Sequence, residues 1–179
     1  RMNRQSLEEK ELKLKLRLAQ LERNEACQNN FLQFVRRLWP EFITGRHHEI
    51  IAEKLERVAK GELKRLIINM APRHTKSEFA SFLFPAWMMG RKPNMKIIQA
   101  THTTELAVNF GRKTKNMIDS DEYKEIFPEV KLAADSKASG RWDTSAGGMY
   151  YAVGVGSNLA GRGGDLVIID DPHSEQTAM

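Results

Sequence analysis

The chain has 179 residues, 41% of them apolar, which is enough to bury one sizeable core and too little for two comfortable domains. Its 28 Lys and Arg residues outnumber 23 Asp and Glu, and the net charge of +5 is compatible with a polyanionic partner. The single cysteine excludes an intramolecular disulfide, and no apolar run reaches the roughly 20 residues of a transmembrane helix. With no secretory leader at its start, we expect a reduced, intracellular protein without a membrane span.

The first predicted element is a helix over about residues 6–25, a stretch of strong helix formers without Gly or Pro. Leucines at helical spacing make one side of it apolar, and we expect this helix to pack back on its own domain. The alternative is a helix that binds a partner. We therefore separate a helical extension, residues 1–28, from a domain formed by residues 29–179. The leucines on that side are Leu7, Leu14, Leu18 and Leu21, and Leu12 and Leu16 broaden the apolar surface.

The rest of the chain begins with two short helices and then alternates strands with helices. Asn30 is a plausible N-cap for the first helix, and Gly61 ends the second. Strands and helices that alternate at this spacing predict an α/β fold, a mostly parallel sheet with helices on its faces. The predicted helices are 31–38, 47–59, 76–89 with a kink at Pro85, and 104–118; the predicted strands are 66–70, 96–101, 150–155 and 166–169.

The segment from Met70 to Ser77, the phosphate loop, joins a predicted strand to a predicted helix. Backbone N–H groups and a helix N-terminus at such a junction can hold phosphate oxygens. Lys76 is predicted to reach the β and γ phosphates of ATP, and the Ser77 hydroxyl to coordinate Mg²⁺. The usual P-loop has glycine where Met70 and Thr75 stand, so we expect Thr75 to be strained or to open the loop. Taken alone, the segment also fits an ordinary strand-to-helix turn.

A second signal is the apolar run of residues 166–169, which delivers Asp170 and Asp171 to the end of a predicted strand. Ligands bind at that edge of a parallel sheet. We assign Asp170, with Ser77, to the Mg²⁺ ion, and Asp171 to the water that attacks the γ-phosphate. An acidic cap on a strand end is the alternative for the pair alone. The two signals together predict a P-loop ATPase.

The residues from Ile68 to Glu78 resemble the phosphate loop of phage large terminase subunits, in which Pro and Arg precede Gly-Lys-Ser. The glycine-rich approach to Asp170, residues 142–165, is similar to the same family. The resemblance covers about residues 31–175 and implies a P-loop NTPase of the RecA/ASCE type, with Walker A and Walker B motifs and with ATP and Mg²⁺ as cofactors. The implied nucleotide-binding residues are Pro72, Arg73, His74, Thr75, Lys76, Ser77 and Glu78.

The same resemblance implies an activity and its partners. Large terminase subunits form a homo-oligomeric ring on the portal of a procapsid in the host-cell cytoplasm. With a small terminase subunit, they hydrolyse ATP to translocate double-stranded bacteriophage DNA. Arg73 is implied to sense or stabilise the nucleotide. An arginine acting on a neighbouring subunit is implied to complete the site, and Arg162 is the first candidate and Arg141 the second.

Two departures from the family leave other interpretations open. Asp171 stands where glutamate is usual, so Glu175 could hold the water instead. The given residues include no nuclease domain, and we expect no DNA cleavage from them. One alternative is a helicase-like nucleic-acid-dependent ATPase, because Asp170 to His173 superficially resembles a D-E-x-H box. Another is a nucleotide- or DNA-binding module in which Thr75 and Asp171 mark lost hydrolysis.

Overall fold

The computed structural model describes residues 4–136, 138–157 and 161–173, with side chains from Leu7 onward. Glu175, the alternative water-holding residue, lies outside these ranges. None of the helices in the described ranges is both long and apolar enough to cross a membrane. The helices are α1 (Arg4–Asn29), α2 (Phe31–Leu38), α3 (Arg46–Ala59), a π-helix (Glu78–Leu83), α4 (Phe84–Arg91), α5 (Thr104–Asp119) and α6 (Asp121–Ile126). The strands are β1 (Lys96–Thr101), β2 (Arg141–Asp143), β3 (Met149–Gly154) and β4 (Leu166–Asp170).

The four strands form one open sheet in the order β2-β3-β1-β4, flanked by helices. Strand β1 is central and pairs in parallel with β3 and with β4. The short strand β2 pairs with β3 in the antiparallel direction. A mixed α/β fold with an open sheet is therefore confirmed, but the sheet is only partly parallel. Its register aligns Thr101 with Gly154 on one side and with Asp170 on the other, so three strands end at one edge.

Three helices begin at side-chain caps that can be read from the sequence. Asn30 accepts a hydrogen bond from the Gln33 backbone N–H, and α2 has the predicted bounds. Thr103 caps α5 through the N–H of Leu106. Ser120 ends α5 and starts α6, a helix that the sequence did not predict. These local hydrogen bonds satisfy donors that the first turn of a helix leaves free.

The helix after the phosphate loop contains the predicted irregularity at Pro85. Residues Glu78–Leu83 form a π-helix, and the Phe84 N–H bonds to the Phe79 carbonyl five residues earlier. Pro85 follows as the second residue of α4. Because proline has no N–H, Pro85 cannot donate a hydrogen bond to the Ser81 carbonyl. The π-helix ends two residues before Pro85, so this missing hydrogen bond lies at the junction between the π-helix and α4.

The main core lies between one face of the sheet and the helices. Phe31 of α2 is fully buried, and its ring contacts Phe79 edge-on, with ring centroids 5.6 Å apart. On the sheet side, the rings of Trp142 and Tyr150 stack at 5.0 Å, and Trp142 Nε1 donates to the Gly111 carbonyl of α5. A Cβ atom on Gly111 would lie 2.4 Å from a backbone oxygen, so this close packing of α5 requires glycine.

The leucines of α1 contradict the prediction that this helix packs back on its domain. Each of the six, from Leu7 to Leu21, is between 48% and 73% exposed. Only the last turns of α1 join the domain: Asn24 and Gln28 donate to backbone carbonyls of α6, and Cys27 is buried. A helix packs through a one-sided apolar surface, and the leucines of α1 are distributed around a predominantly polar helix rather than along one side.

The predicted strand at residues 66–70 is also wrong, because the structure has no strand there. Burial nevertheless alternates along this segment as it would in a strand, and Ile67 is 85% exposed. A strand needs a neighbour for its backbone hydrogen bonds. Within the part of the chain that the structure describes, β4 pairs only with β1, and a groove separates β4 from residues 66–69. The phosphate loop is therefore preceded by unpaired extended chain.

Candidate functional site

The candidate site lies at the edge of the sheet where β1, β3 and β4 end. The loops that leave these strands are tied together by backbone hydrogen bonds: the His102 N–H donates to the Asp171 carbonyl, and the Val155 N–H donates to the Thr101 carbonyl. The carboxyl edge of parallel strands is where α/β proteins bind ligands. Lys76, Ser81, Asp170 and Asp171 line one groove of about 760 Å³ at this edge.

The phosphate loop has two non-glycine residues in the left-handed backbone region, Arg73 at φ 64° and Thr75 at φ 59°. Thr75 is β-branched, so this conformation costs about 1–3 kcal/mol. The prediction that Thr75 is strained is confirmed. Its carbonyl accepts the Phe79 N–H at the start of the following helix. Residue 75 thus has the conformation that a glycine would adopt without strain.

Asp170 is the most enclosed of the predicted residues. It is 7% exposed at the end of β4, and its Oδ2 accepts a hydrogen bond of 2.9 Å from the Ser81 hydroxyl. Ser77 immediately precedes the π-helix that contains Ser81, and this helix contacts β4. The two predicted metal ligands, Ser77 and Asp170, therefore belong to neighbouring segments of the chain.

Lys76 and Asp171 form a direct ion pair, with Nζ 2.9 Å from Oδ1. The lysine side chain is 25% exposed and the aspartate 65% exposed, so solvent screens the pair and it is weak. Asp171 has φ 42°, a left-handed conformation that aspartate tolerates better than most residues. The sequence predicted both residues for the site but not that they bind each other.

Other predicted nucleotide-binding residues have local partners. The Pro72 carbonyl accepts a hydrogen bond from His74 Nδ1 at 2.9 Å, which closes the turn around the exposed Arg73. Glu78 pairs with Lys113 of α5 at 3.0 Å. This ion pair joins the helix that follows the phosphate loop to α5.

The two candidates for the arginine that acts on a neighbouring subunit lie near the same residue of the sheet. The Arg162 guanidinium is 4.1 Å from the centroid of the Tyr151 ring. The exposed Arg141, on strand β2, is the register partner of Tyr151. Tyr151 belongs to the face of the sheet opposite to the one that Tyr150 packs on α5. Their role in a second subunit stays a prediction.

Sequence reasoning missed two polar contacts of this site. Ser81, whose hydroxyl binds Asp170, was not among the predicted site residues. Nor was His48, yet its Nε2 lies 2.6 Å from the Thr75 hydroxyl. No local pattern reports either contact, because the partners are 89 and 27 residues apart in the chain.

Burial lowers the pKa of the His48 imidazole below its ordinary value, and repulsion from His47 and His74 lowers it further. The ring is 6% exposed, and its Nδ1 accepts the Gly45 N–H at the start of α3. Since a protonated imidazole cannot accept a hydrogen bond, charging His48 would also break this contact. The fold therefore holds His48 neutral.

Replacing His48 with glutamine is expected to reduce the loss of stability in mild acid. The folded pKa lies below the unfolded value of about 6.5, so the unfolded chain takes up the proton first. The contribution of neutral His48 to the free energy of unfolding is fully present above the pKa of the unfolded chain and is lost as the pH falls through the pKa of the folded chain. Free energies of unfolding in urea, compared between about pH 8 and about pH 5, measure this. The exposed His102→Gln serves as control, and an unchanged pH dependence in His48→Gln would contradict the assignment.

Comparisons of the chain with protein-family models, with curated proteins and with solved structures found no significant match. Nor do the described residues contain a cluster of three or more His, Cys, Asp or Glu side chains placed to hold a metal ion. The chemistry of the site is therefore argued from its own geometry.

Proposed function

We propose that this chain is the ATP-hydrolysing motor part of a large terminase subunit, a P-loop NTPase that moves double-stranded DNA into a procapsid. One observation carries the ATPase part: Lys76, Asp170 and Asp171, predicted from two motifs 94 residues apart in sequence, line one groove at the carboxyl edge of the sheet. The DNA-packaging part rests on the sequence resemblance around the phosphate loop and the glycine-rich segment before β4.

The donor set fits Mg²⁺ rather than a metal held entirely by protein. Magnesium in nucleotide enzymes usually has one or two carboxylate ligands, with phosphate and water oxygens completing its shell. Asp170 and the Ser77 hydroxyl would supply the protein ligands, and the ion would neutralise charge that develops on the phosphates. Ser81 orients the buried carboxylate of Asp170 through the 2.9 Å hydrogen bond, so the ligand is fixed before any ion arrives.

Lys76 and Asp171 would separate when nucleotide binds. The lysine would turn from the carboxylate to the β and γ phosphates, and the carboxylate would then be free to accept a hydrogen bond from water. In the reaction, the water oxygen bonds to the γ-phosphorus, the bond from that phosphorus to the bridging oxygen of ADP breaks, and a proton leaves the water. Asp171 would orient the water and accept this proton.

The non-hydrolysing alternative also has one observation in its favour. Asp171 is paired with Lys76, and an ion pair that persisted with nucleotide bound would keep the carboxylate from the water. Such a protein would bind nucleotide and turn it over negligibly. The two functions therefore differ in hydrolysis rather than in binding.

Lys76→Ala and Asp170→Ala are each expected to lower ATP turnover by at least about 10²-fold, because the first removes a cation that would meet developing negative charge and the second removes a ligand of the Mg²⁺ ion that would do the same. The exposed Lys131→Ala is the matched control and should hydrolyse like wild type. Release of phosphate from Mg²⁺–ATP, with and without double-stranded DNA, measures the effect.

If neither Lys76→Ala nor Asp170→Ala lowers ATP turnover, the site assignment is wrong. Tight binding of nucleotide by the wild-type chain without turnover, in the presence of DNA as well, would favour the non-hydrolysing module. Stimulation by single-stranded but not by double-stranded DNA would favour the helicase-like alternative.

A further inference from the structure

The least expected contact of the phosphate loop is the one between Thr75 and His48. The Thr75 hydroxyl is 2.6 Å from His48 Nε2 and donates to the His74 carbonyl at 2.7 Å. A hydroxyl has one proton, so with that proton given to the carbonyl it must accept from the imidazole. The side chain of Thr75 is thus held from both sides.

The proton of His48 is located by a second hydrogen bond. Its Nδ1 accepts a hydrogen bond of 2.9 Å from the backbone N–H of Gly45. Gly45 is the N-cap of α3 and His48 is the third residue of that helix, so this is the side-chain-to-N-cap hydrogen bond of a capping box. In a neutral imidazole, the nitrogen that does not accept carries the proton. Nε2 is therefore the donor, and the bond runs from His48 to Thr75.

The imidazole is also fixed in space by its neighbours. The Phe42 ring meets it edge-on at 4.7 Å, and the Phe79 ring stacks on it at 5.1 Å. The residue is 6% exposed, so its ring cannot turn without disturbing packed aromatic side chains. A donor fixed in this way can define the position of a loop residue, whereas a mobile surface side chain cannot.

We propose that His48 is a positioning residue of the phosphate loop, which holds Thr75 in the left-handed conformation that a glycine would adopt by itself. The inference rests on the proposed nucleotide-binding function of this loop. Residue 75, at φ 59°, directly precedes the helical residues Lys76 and Ser77, and the free N–H groups of the first helical turn are the ones that would bind phosphate oxygens. His48 and Thr75 together thus do what the usual glycine does alone.

The test is a double-mutant cycle between the two residues, with Mg²⁺–ADP as the probe and calorimetry as the measurement. In the wild-type background, His48→Ala is expected to weaken binding about three- to tenfold, the effect of one hydrogen bond. In the Thr75→Gly background the same change should cost less than about twofold, because glycine needs no support. His48→Gln, which keeps a donor, should retain most of the affinity, and the exposed Lys131→Ala should match wild type.

If His48→Ala weakens Mg²⁺–ADP binding equally in the wild-type and Thr75→Gly backgrounds, the inference is wrong. A residue that only stabilises the fold would weaken binding to the same extent in both backgrounds. No loss in either background would overturn it as well. If His48→Ala does not fold, Thr75→Val replaces it: the ring stays buried, only the hydroxyl is removed, and binding should weaken to the same extent.

A readout without nucleotide separates this inference from the proposed function. If the wild-type chain binds no Mg²⁺–ADP, the proposed function fails, and the ¹⁵N chemical shifts of the His48 ring then decide the inference. We expect neutral imidazole with the proton on Nε2, and a shift of that nitrogen in Thr75→Val. A proton on Nδ1, or a ring insensitive to Thr75→Val, would overturn it.

Discussion

Replacing Asp171 with asparagine is expected to lower ATP hydrolysis by about 10²- to 10⁴-fold, the usual contribution of a general base, and to leave nucleotide binding at least as tight. The carboxylate is 2.9 Å from the Lys76 ammonium. Asparagine keeps the size and tolerates the left-handed backbone at φ 42°, but it removes the charge that competes with phosphate for Lys76. Binding and hydrolysis should therefore respond in different directions.

Single-turnover hydrolysis and equilibrium binding of Mg²⁺–ADP measure the two effects separately. Asp165→Asn is the matched control: this exposed carboxylate accepts the Lys96 N–H at the other end of β4, and an amide oxygen can replace it. If Asp171→Asn loses binding together with hydrolysis, Asp171 holds the metal rather than the water. If hydrolysis is unchanged, the water-orienting role is wrong, and Glu175 becomes the residue to replace.

Leu83→Ala is expected to lower the free energy of unfolding by about 2–5 kcal/mol, and Leu14→Ala to change it by less than about 0.5 kcal/mol. Leu83, in the π-helix, is 1% exposed within the core, and its truncation leaves a cavity. Leu14, on α1, is 73% exposed and loses little packing when shortened. The chemical change is the same at both positions, so the difference measures burial alone.

Equilibrium unfolding in urea at several protein concentrations gives both values. A loss of more than about 1 kcal/mol in Leu14→Ala would contradict the exposed position of α1. Dependence of that loss on protein concentration would indicate that a second copy covers the leucines. A loss independent of concentration would indicate that α1 folds back on its own domain, as the sequence alone predicted.

Local signals determined the positions of most helices. Asn30 and Thr103 are the N-caps of α2 and α5, and each side chain accepts a hydrogen bond from the backbone N–H three residues later. The start of each helix is therefore determined by a segment of four residues. Gly61, at φ 77°, follows the end of α3 for an equally local reason. Pro85 lacks the N–H that a regular helix needs, and the helix is irregular at that position.

Strands were predicted less well, because a strand is defined by its neighbour. The apolar runs of β1, β3 and β4 were placed correctly to within a residue or two. Residues 66–70 have the same composition and an alternating burial, yet they form no strand, since the structure places no partner beside them. The short strand β2 has only three residues, too few for a periodic signal, and its pairing with β3 is antiparallel.

The sequence by itself determined the chemistry of the candidate site: a lysine and a serine at a helix start, and two carboxylates at a strand end. Residue type and local position suffice for this, because they depend only on nearby chain. Tertiary structure decided the contacts across the chain, namely Ser81 with Asp170, Lys76 with Asp171, and His48 with Thr75. Such pairs form only when elements distant in sequence pack together. The periodicity of apolar residues does not predict which polar side chains will then lie within hydrogen-bonding distance.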